Sequence, residues 1–213
     1  MKNMIKISVV IGLALVILNT GMAKDPVFID DFKTDKLNEK WEWVCPSEGP
    51  SYKIDAKKGI LIFTVPSEQT YDHWSHIAAA PQLALKVPKG NWTFEAKMKL
   101  AESTEGQQFH AVLFVRFADL DYFYWGPYMG TKLRLERSGA NDMLNADYDS
   151  DEVWLQIKKD GSSYSWSYRK TEKDKWEEVG TAAEELEPEK IGFMIKTWGA
   201  AEVTAEFSSV RLY

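Results

Sequence analysis

The chain has a single cysteine, Cys45, in 213 residues. An internal disulfide is therefore excluded, and stability rests on the hydrophobic core. Cys45 adjoins Trp43 and Val44, the setting of a buried, inert thiol. There are three histidines, His73, His76 and His110. A zinc site needs three or four converging ligands, so these three with Asp72 make a poor zinc set. No Gly-x-Ser-x-Gly elbow and no Cys–His pairing signal occurs, which removes the common nucleophilic hydrolases. Positive charge is also short: 26 Lys and Arg stand against 32 Asp and Glu, a net charge of −6. Such a chain is a poor ligand for nucleic acid or anionic lipid, both polyanions. Helical periodicity is scarce too. Only Ala182–Leu186, ended by Pro188, reads as a helical piece. With no crossover helices, a doubly wound α/β fold is excluded.

What remains is a succession of short strands. Val153, Leu155 and Ile157 alternate with Gln156 and Lys158. Asp160-Gly161 follows as a hairpin signal, and then Tyr164, Trp166 and Tyr168 alternate with serines. Trp176 to Val179 continues this antiparallel meander. Earlier candidates are Val27–Phe32, Trp41–Cys45, Tyr52–Ala56, Ile60–Val65, Ser75–Ala80, Asn91–Leu100 and Gln108–Phe117. Tyr122–Trp125, Lys132–Arg137, Met143–Asn145, Lys190–Thr197 and Glu202–Leu212 complete the set. Starts spaced mostly 8 to 15 residues apart predict an all-β, two-sheet antiparallel sandwich. About 190 residues form this one domain, 24–213.

Residues 1–23 read as a secretory signal peptide, not as part of the domain. Lys2 and Lys6 precede the apolar run Ile7 to Leu18, and Gly21 and Ala23 supply small residues before a cut at Lys24. The run is too short for a comfortable membrane span. The expectation is a secreted or periplasmic protein with no membrane contact after cleavage.

Two central strands carry a second face of unusual composition. Ala111, Leu113, Val115 and Phe117 form one side of their strand, and His110, Val112, Phe114 and Arg116 the other. Ile191, Phe193 and Ile195 read as core, with Met194, Lys196 and Trp198 opposite. Aromatic and basic groups together on an outer face point to a site.

The chain resembles the concanavalin A-like lectin/glucanase jelly roll, in particular the DUF1349-type modules and those of some family 43 β-xylosidases. Phe28-Ile29-Asp30-Asp31-Phe32 with Leu37, Trp41 and Trp43, the Lys58–Ile62 turn and strand, Ala111–Arg116, the Val153–Gly180 meander, Ile191–Phe193 and Phe207–Leu212 carry the likeness in order. The resemblance implies a jelly roll with one concave sheet. It also allows one cofactor, a structural calcium ion built from the last strand and Asp30 or Asp31. The last strand, however, has Ser208-Ser209 where such modules often carry aspartates.

The expected partner is a saccharide. Tyr71 to His76 and Tyr122 to Tyr128 are dense in rings with polar tips, and an apolar ring face suits the C–H face of a sugar. Trp74, Trp125 and Trp198 are expected to stack. Tyr71, His73, Arg116, Tyr124 and Lys196 are expected to complete the ligand site. Asn145, Asp147, Asp149 and Asp151 read as a solvated acidic loop, since an EF-hand's turning glycine is missing. The leading expectation is a non-catalytic carbohydrate-binding protein. A glycoside hydrolase or lyase with a carboxylate pair, Asp72, Asp119 and Asp121 being nearest the aromatic patch, stays open as an alternative. So does an assembly module in which the rings are core or interface.

Overall fold

The computed structural model describes residues 25–140 and 143–213, so the leader expected over 1–23 lies outside the described residues. In chain order the strands are β1 (Phe28–Asp30), β2 (Glu42–Val44), β3 (Ser51–Asp55), β4 (Ile60–Val65), β5 (His73–Trp74), β6 (Ile77–Ala78), β7 (Gln82–Lys86), β8 (Trp92–Ser103) and β9 (Gln108–Ala118). There follow β10 (Asp121–Tyr128), β11 (Lys132–Arg137), β12 (Met143–Asp147), β13 (Glu152–Asp160), β14 (Ser163–Arg169), β15 (Glu177–Ala183), β16 (Lys190–Trp198) and β17 (Val203–Leu212).

They form two antiparallel sheets packed face to face, as the alternating sequence predicts. One runs β15-β14-β13-β8-β17-β4-β3, with β1 added to β17; the other runs β12-β11-β10-β9-β16-β7-β2. Alternation decides which side is buried. Phe94, Ala96 and Met98 of β8 are fully buried, whereas Glu95, Lys97 and Lys99 lie partly in solvent. Between the sheets, Phe193 stacks on Phe207 with centroids 4.0 Å apart, and Trp41 lies 5.2 Å from Phe193. Tyr164 and Trp166 belong to this core, so the meander's rings are structural.

The Asp160-Gly161 signal is right in kind and one residue off in place. Asp160 pairs with Ser163, so Gly161 and Ser162 are the central residues. Gly161 has φ +60 and Ser162 is not among the positive-φ residues, the pattern of a type II′ turn.

Two expectations fail. Ala182–Leu186 is not a helix, because Ala182 and Ala183 extend β15 and pair with Tyr164 and Ser163; the available sheet edge overrides helix propensity. Ser75–Ala80 is not one strand of the sandwich. It belongs to the small hairpin β5–β6, and the strand that enters the sheet is β7, behind Pro81.

Asp30 is engaged inside its own loop. Its Oδ1 accepts from the Phe32 N–H at 2.8 Å, where Phe32 holds φ 48, and its Oδ2 accepts from the Trp41 indole at 2.9 Å. Asp31 pairs with Arg211 at 2.8 Å. Among the described residues, no three His, Cys, Asp or Glu side chains converge as a metal site.

Candidate functional site: a cleft beside a hairpin

The site lies on the outer face of the second sheet, where the β5–β6 hairpin crosses the strands. The hairpin is latched at one end to β16. Tyr71 N–H donates to Thr197 Oγ1, and Thr197 N–H donates to the Tyr71 carbonyl, each at 3.0 Å. It then passes over β9 and β10 toward the β11–β12 turn, where Ser75 abuts Gly139. On the way back, the Ala79 and Ala80 N–H groups bond the Asp72 carbonyl.

The hairpin buries a second apolar cluster of Ala80, Ala84, Val112, Phe114, Tyr122, Tyr124 and Met194. This explains why both faces of β9 are buried. His73 fastens the cover. Its ring meets Tyr122 edge-on at 4.4 Å, and its Nδ1 lies 2.8 Å from the Tyr124 hydroxyl, which also bonds Ser138 Oγ at 2.6 Å. Burial pulls the His73 pKa down to about 4, with the Lys196 and Arg116 charges adding to the effect, so the ring is neutral at pH 7. Its Nε2 is buried and has no hydrogen-bond partner among the described residues.

Beside the hairpin lies a charged cluster. Lys196 is fully buried, and its Nζ donates to Glu136 Oε2 at 2.7 Å. Three rings surround the same ammonium: Tyr124 at 3.9 Å, Trp74 at 4.8 Å and Trp198 at 5.0 Å. His110 lies beneath Glu136. Its Nε2 faces two acceptors, the Gly126 and Arg134 carbonyls at 3.1 and 3.2 Å, and so carries the proton; Nδ1 lies 3.4 Å from Glu136 Oε2. Gly126 is required there, since a Cβ would fall 2.2 Å from the Ala111 carbonyl oxygen. Burial alone would raise the Glu136 pKa, but the Lys196 ammonium bonded to its Oε2 opposes that rise, and the carboxyl is held well below the usual range. Burial pulls Lys196 down and Glu136 opposes that shift.

Above this cluster opens a cleft of about 300 Å³, lined by Asp72, Trp74, Gln108, Tyr128, Arg134, Glu136 and Trp198. Arg134 sits over Tyr128, its Cζ 3.4 Å from the ring centroid, and its Nε donates to Asn145 Oδ1 at 2.9 Å. Asp72 accepts from the His73 N–H through Oδ1 at 2.7 Å, leaving Oδ2 for a ligand. Burial raises the Asp72 pKa, and the His73 N–H and Lys196 oppose the rise.

The predicted residues divide. Trp74 and Trp198 line the cleft, and Lys196 and Tyr124 lie beneath it, braced by His73. Tyr71 is core, with its hydroxyl bonded to the Glu48 carbonyl. Trp125 does not join the other tryptophans. It faces inward on β10, and its indole donates to the Ser167 carbonyl at 3.2 Å. Arg116 sits on the far side of the hairpin, tied to Glu189 at 2.9 Å. Asp121, held by Arg137, and Asp119, beside Arg116, are likewise away from the cleft. Sequence reasoning missed Gln108, Arg134 and Glu136 and did not single out Tyr128. The alternation Lys132-Leu133-Arg134-Leu135-Glu136 carried the signal, because it sends Arg134 and Glu136 to the outer face beside Tyr124 and Tyr128.

No protein-family model matches the chain, and no curated protein does. Solved structures do. A functionally unknown protein from Saccharomyces cerevisiae superposes with TM-score 0.66 at 17% identity, over 82% of this chain and 96% of that one. GH43B of a Bacteroides ovatus xyloglucan PUL gives 0.68 at 17%, over 90% of this chain and 40% of that one. The cellulose-induced protein Cip1 gives 0.63 at 11%, over 87% and 96%. This chain thus spans well under half of the GH43 protein. The likenesses establish the fold class: a concanavalin A-like β-sandwich module.

Proposed function

We propose that this is an exported, non-catalytic saccharide-binding protein whose site is the cleft between Trp74 and Trp198. One observation carries the reading. Two half-buried indoles border a small cleft together with Asp72, Gln108 and Arg134. Rings offer an apolar platform, and the three polar side chains offer donors and acceptors for hydroxyls. The fold likeness to proteins named for xyloglucan and cellulose is consistent with it. The leader-like segment 1–23 supports export, and a mature protein beginning at Lys24 by mass spectrometry is the expected result.

Titration with soluble oligosaccharides, read by tryptophan fluorescence and calorimetry, tests the binding reading. Saturable quenching lost in Trp198→Ala is expected. Flat titrations, with wild type and Trp198→Ala retained equally on insoluble polysaccharides, reject it.

A second reading, glycoside hydrolysis, draws on Asp72 and Glu136 bordering one cleft with environments that shift them in opposite directions. Against it, Glu136 is almost fully buried and its Oε2 is committed to Lys196. Turnover of a polysaccharide that disappears in Asp72→Asn would establish this second reading over the first.

A further inference from the structure

We infer that the cleft receives the end of a glycan chain, one or two rings deep, and not a stretch from the middle of a polysaccharide. This rests on the saccharide reading above and narrows it to a ligand class.

A seven-stranded sheet is roughly 29 Å across at about 4.8 Å per strand, enough for a long glycan to lie over several rings. Here that path is filled. The β5–β6 hairpin runs across the strands from Thr197 on β16 to Gly139 beyond β11, and the residues beneath it (Val112, Phe114, Tyr124, Met194) have no exposure. The half of the face beyond the hairpin is spanned by ion pairs instead of open rings. Arg116 binds Glu189, and Lys190 binds Glu42. A chain has no continuous groove to follow there.

The remaining cleft is closed at its sides. Next to β16, residues 70 and 71 run alongside Trp198, held by the Gly199 N–H to Thr70 Oγ1 bond at 3.1 Å and by the Tyr71–Thr197 pair. Next to β11, the Arg134 guanidinium covers the Tyr128 ring and is fixed by Asn145. Two rings, Trp74 and Trp198, are left to stack against sugar. The volume, about 300 Å³, is at the lower limit for ligand pockets, which run from roughly 300 to 1,000 Å³. Asp72, Gln108 and Arg134 gather around this one spot. A terminal ring suits that arrangement, because it presents a free hydroxyl where an internal ring carries its next linkage.

The test is calorimetry on the wild-type protein with β-1,4-linked xylo- and gluco-oligosaccharides of two to six rings. It is paired with binding to the matching polymers before and after limited endo-cleavage. In whichever series binds, affinity should change by less than about threefold from three rings to six. Endo-cleavage, which creates ends at constant sugar mass, should raise the protein bound in proportion to the new ends. Affinity that climbs about tenfold or more from three to six rings, or polymer binding indifferent to the number of ends, overturns the chain-end inference and leaves saccharide binding standing. No binding in either series, with Trp198→Ala indistinguishable from wild type on the polymers, removes the saccharide reading and this inference with it.

Discussion

Strand β10 presents two sets of aromatic rings that face opposite ways and meet different covers. Phe123 and Trp125 point between the sheets, where Phe123 packs 4.9 Å from Trp166 and the Trp125 indole finds the Ser167 carbonyl. Tyr122 and Tyr124 point outward, yet they are no more exposed than the first pair. A sheet covers one set and a two-stranded hairpin covers the other. The difference lies in the polar ends. The outward tyrosines place hydroxyls against Gln82, Ser138 and His73, whereas Phe123 has nothing to satisfy. Aromatic density in this segment therefore marks burial twice over. The rings that reach the cleft stand at strand ends or on the hairpin: Tyr128, Trp198 and Trp74.

Substitutions can break this comparison, and the inward set should respond most. Trp125→Ala should cost about 3–5 kcal/mol in urea unfolding, since it leaves a cavity in a closed core. Trp198→Ala should stay within about 1 kcal/mol of wild type while abolishing ligand-induced quenching. Equal losses in the two variants would mean that Trp198 is also a core residue.

Next comes the buried ion pair beneath the outward set. Glu136→Leu leaves the Lys196 ammonium without its carboxylate and should destabilise by about 3 kcal/mol. Adding Lys196→Met should recover at least half of that, because a pair of apolar groups restores a consistent interior. A double variant no better than the single would show that the three rings alone hold the ammonium.

The hairpin's own fastening should be sensitive to pH. Folding lowers the His73 pKa from 6.5 to about 4, so the unfolded chain binds more protons between those values. Stability is whole above pH 6.5, falls as pH drops through that window, and loses on the order of 3 kcal/mol below pH 4. His110, also pushed down by burial, acts in the same direction, while Asp72, pushed up, opposes it. Thermal melts between pH 7 and 4 check the slope, and His73→Gln should flatten it. The smallest effect is expected at Arg116. Its partly exposed pair with Glu189 is worth at most about 1 kcal/mol, and Arg116→Ala should leave saccharide affinity unchanged.

Much of the fold is legible in the residues. Period-2 alternation in β8 and β13 shows which side chains enter the core, and turn residues separate the strands. Strand β7 was not legible, because Gln82-Leu83-Ala84-Leu85 is nearly all buried and shows no alternation. The site was legible only in part. Trp74, Lys196 and Trp198 stand out as aromatic and basic groups on outer positions. Arg116 shares that chemistry and lies elsewhere, because a strand's face is readable but the position of a crossing loop is not.

The sequence by itself determined a two-faced set of strands, an acidic chain without disulfides and a core able to close between two sheets. These follow from local periodicity and composition, which need no knowledge of distant contacts. Only the tertiary structure decided which part of the outer face stays open. That depends on the hairpin's latch between Tyr71 and Thr197, 126 residues apart, made partly by backbone groups that nearly every residue carries. Such a contact leaves little trace in residue types, yet it covers the middle of one sheet's outer face and leaves the cleft at Trp74 and Trp198.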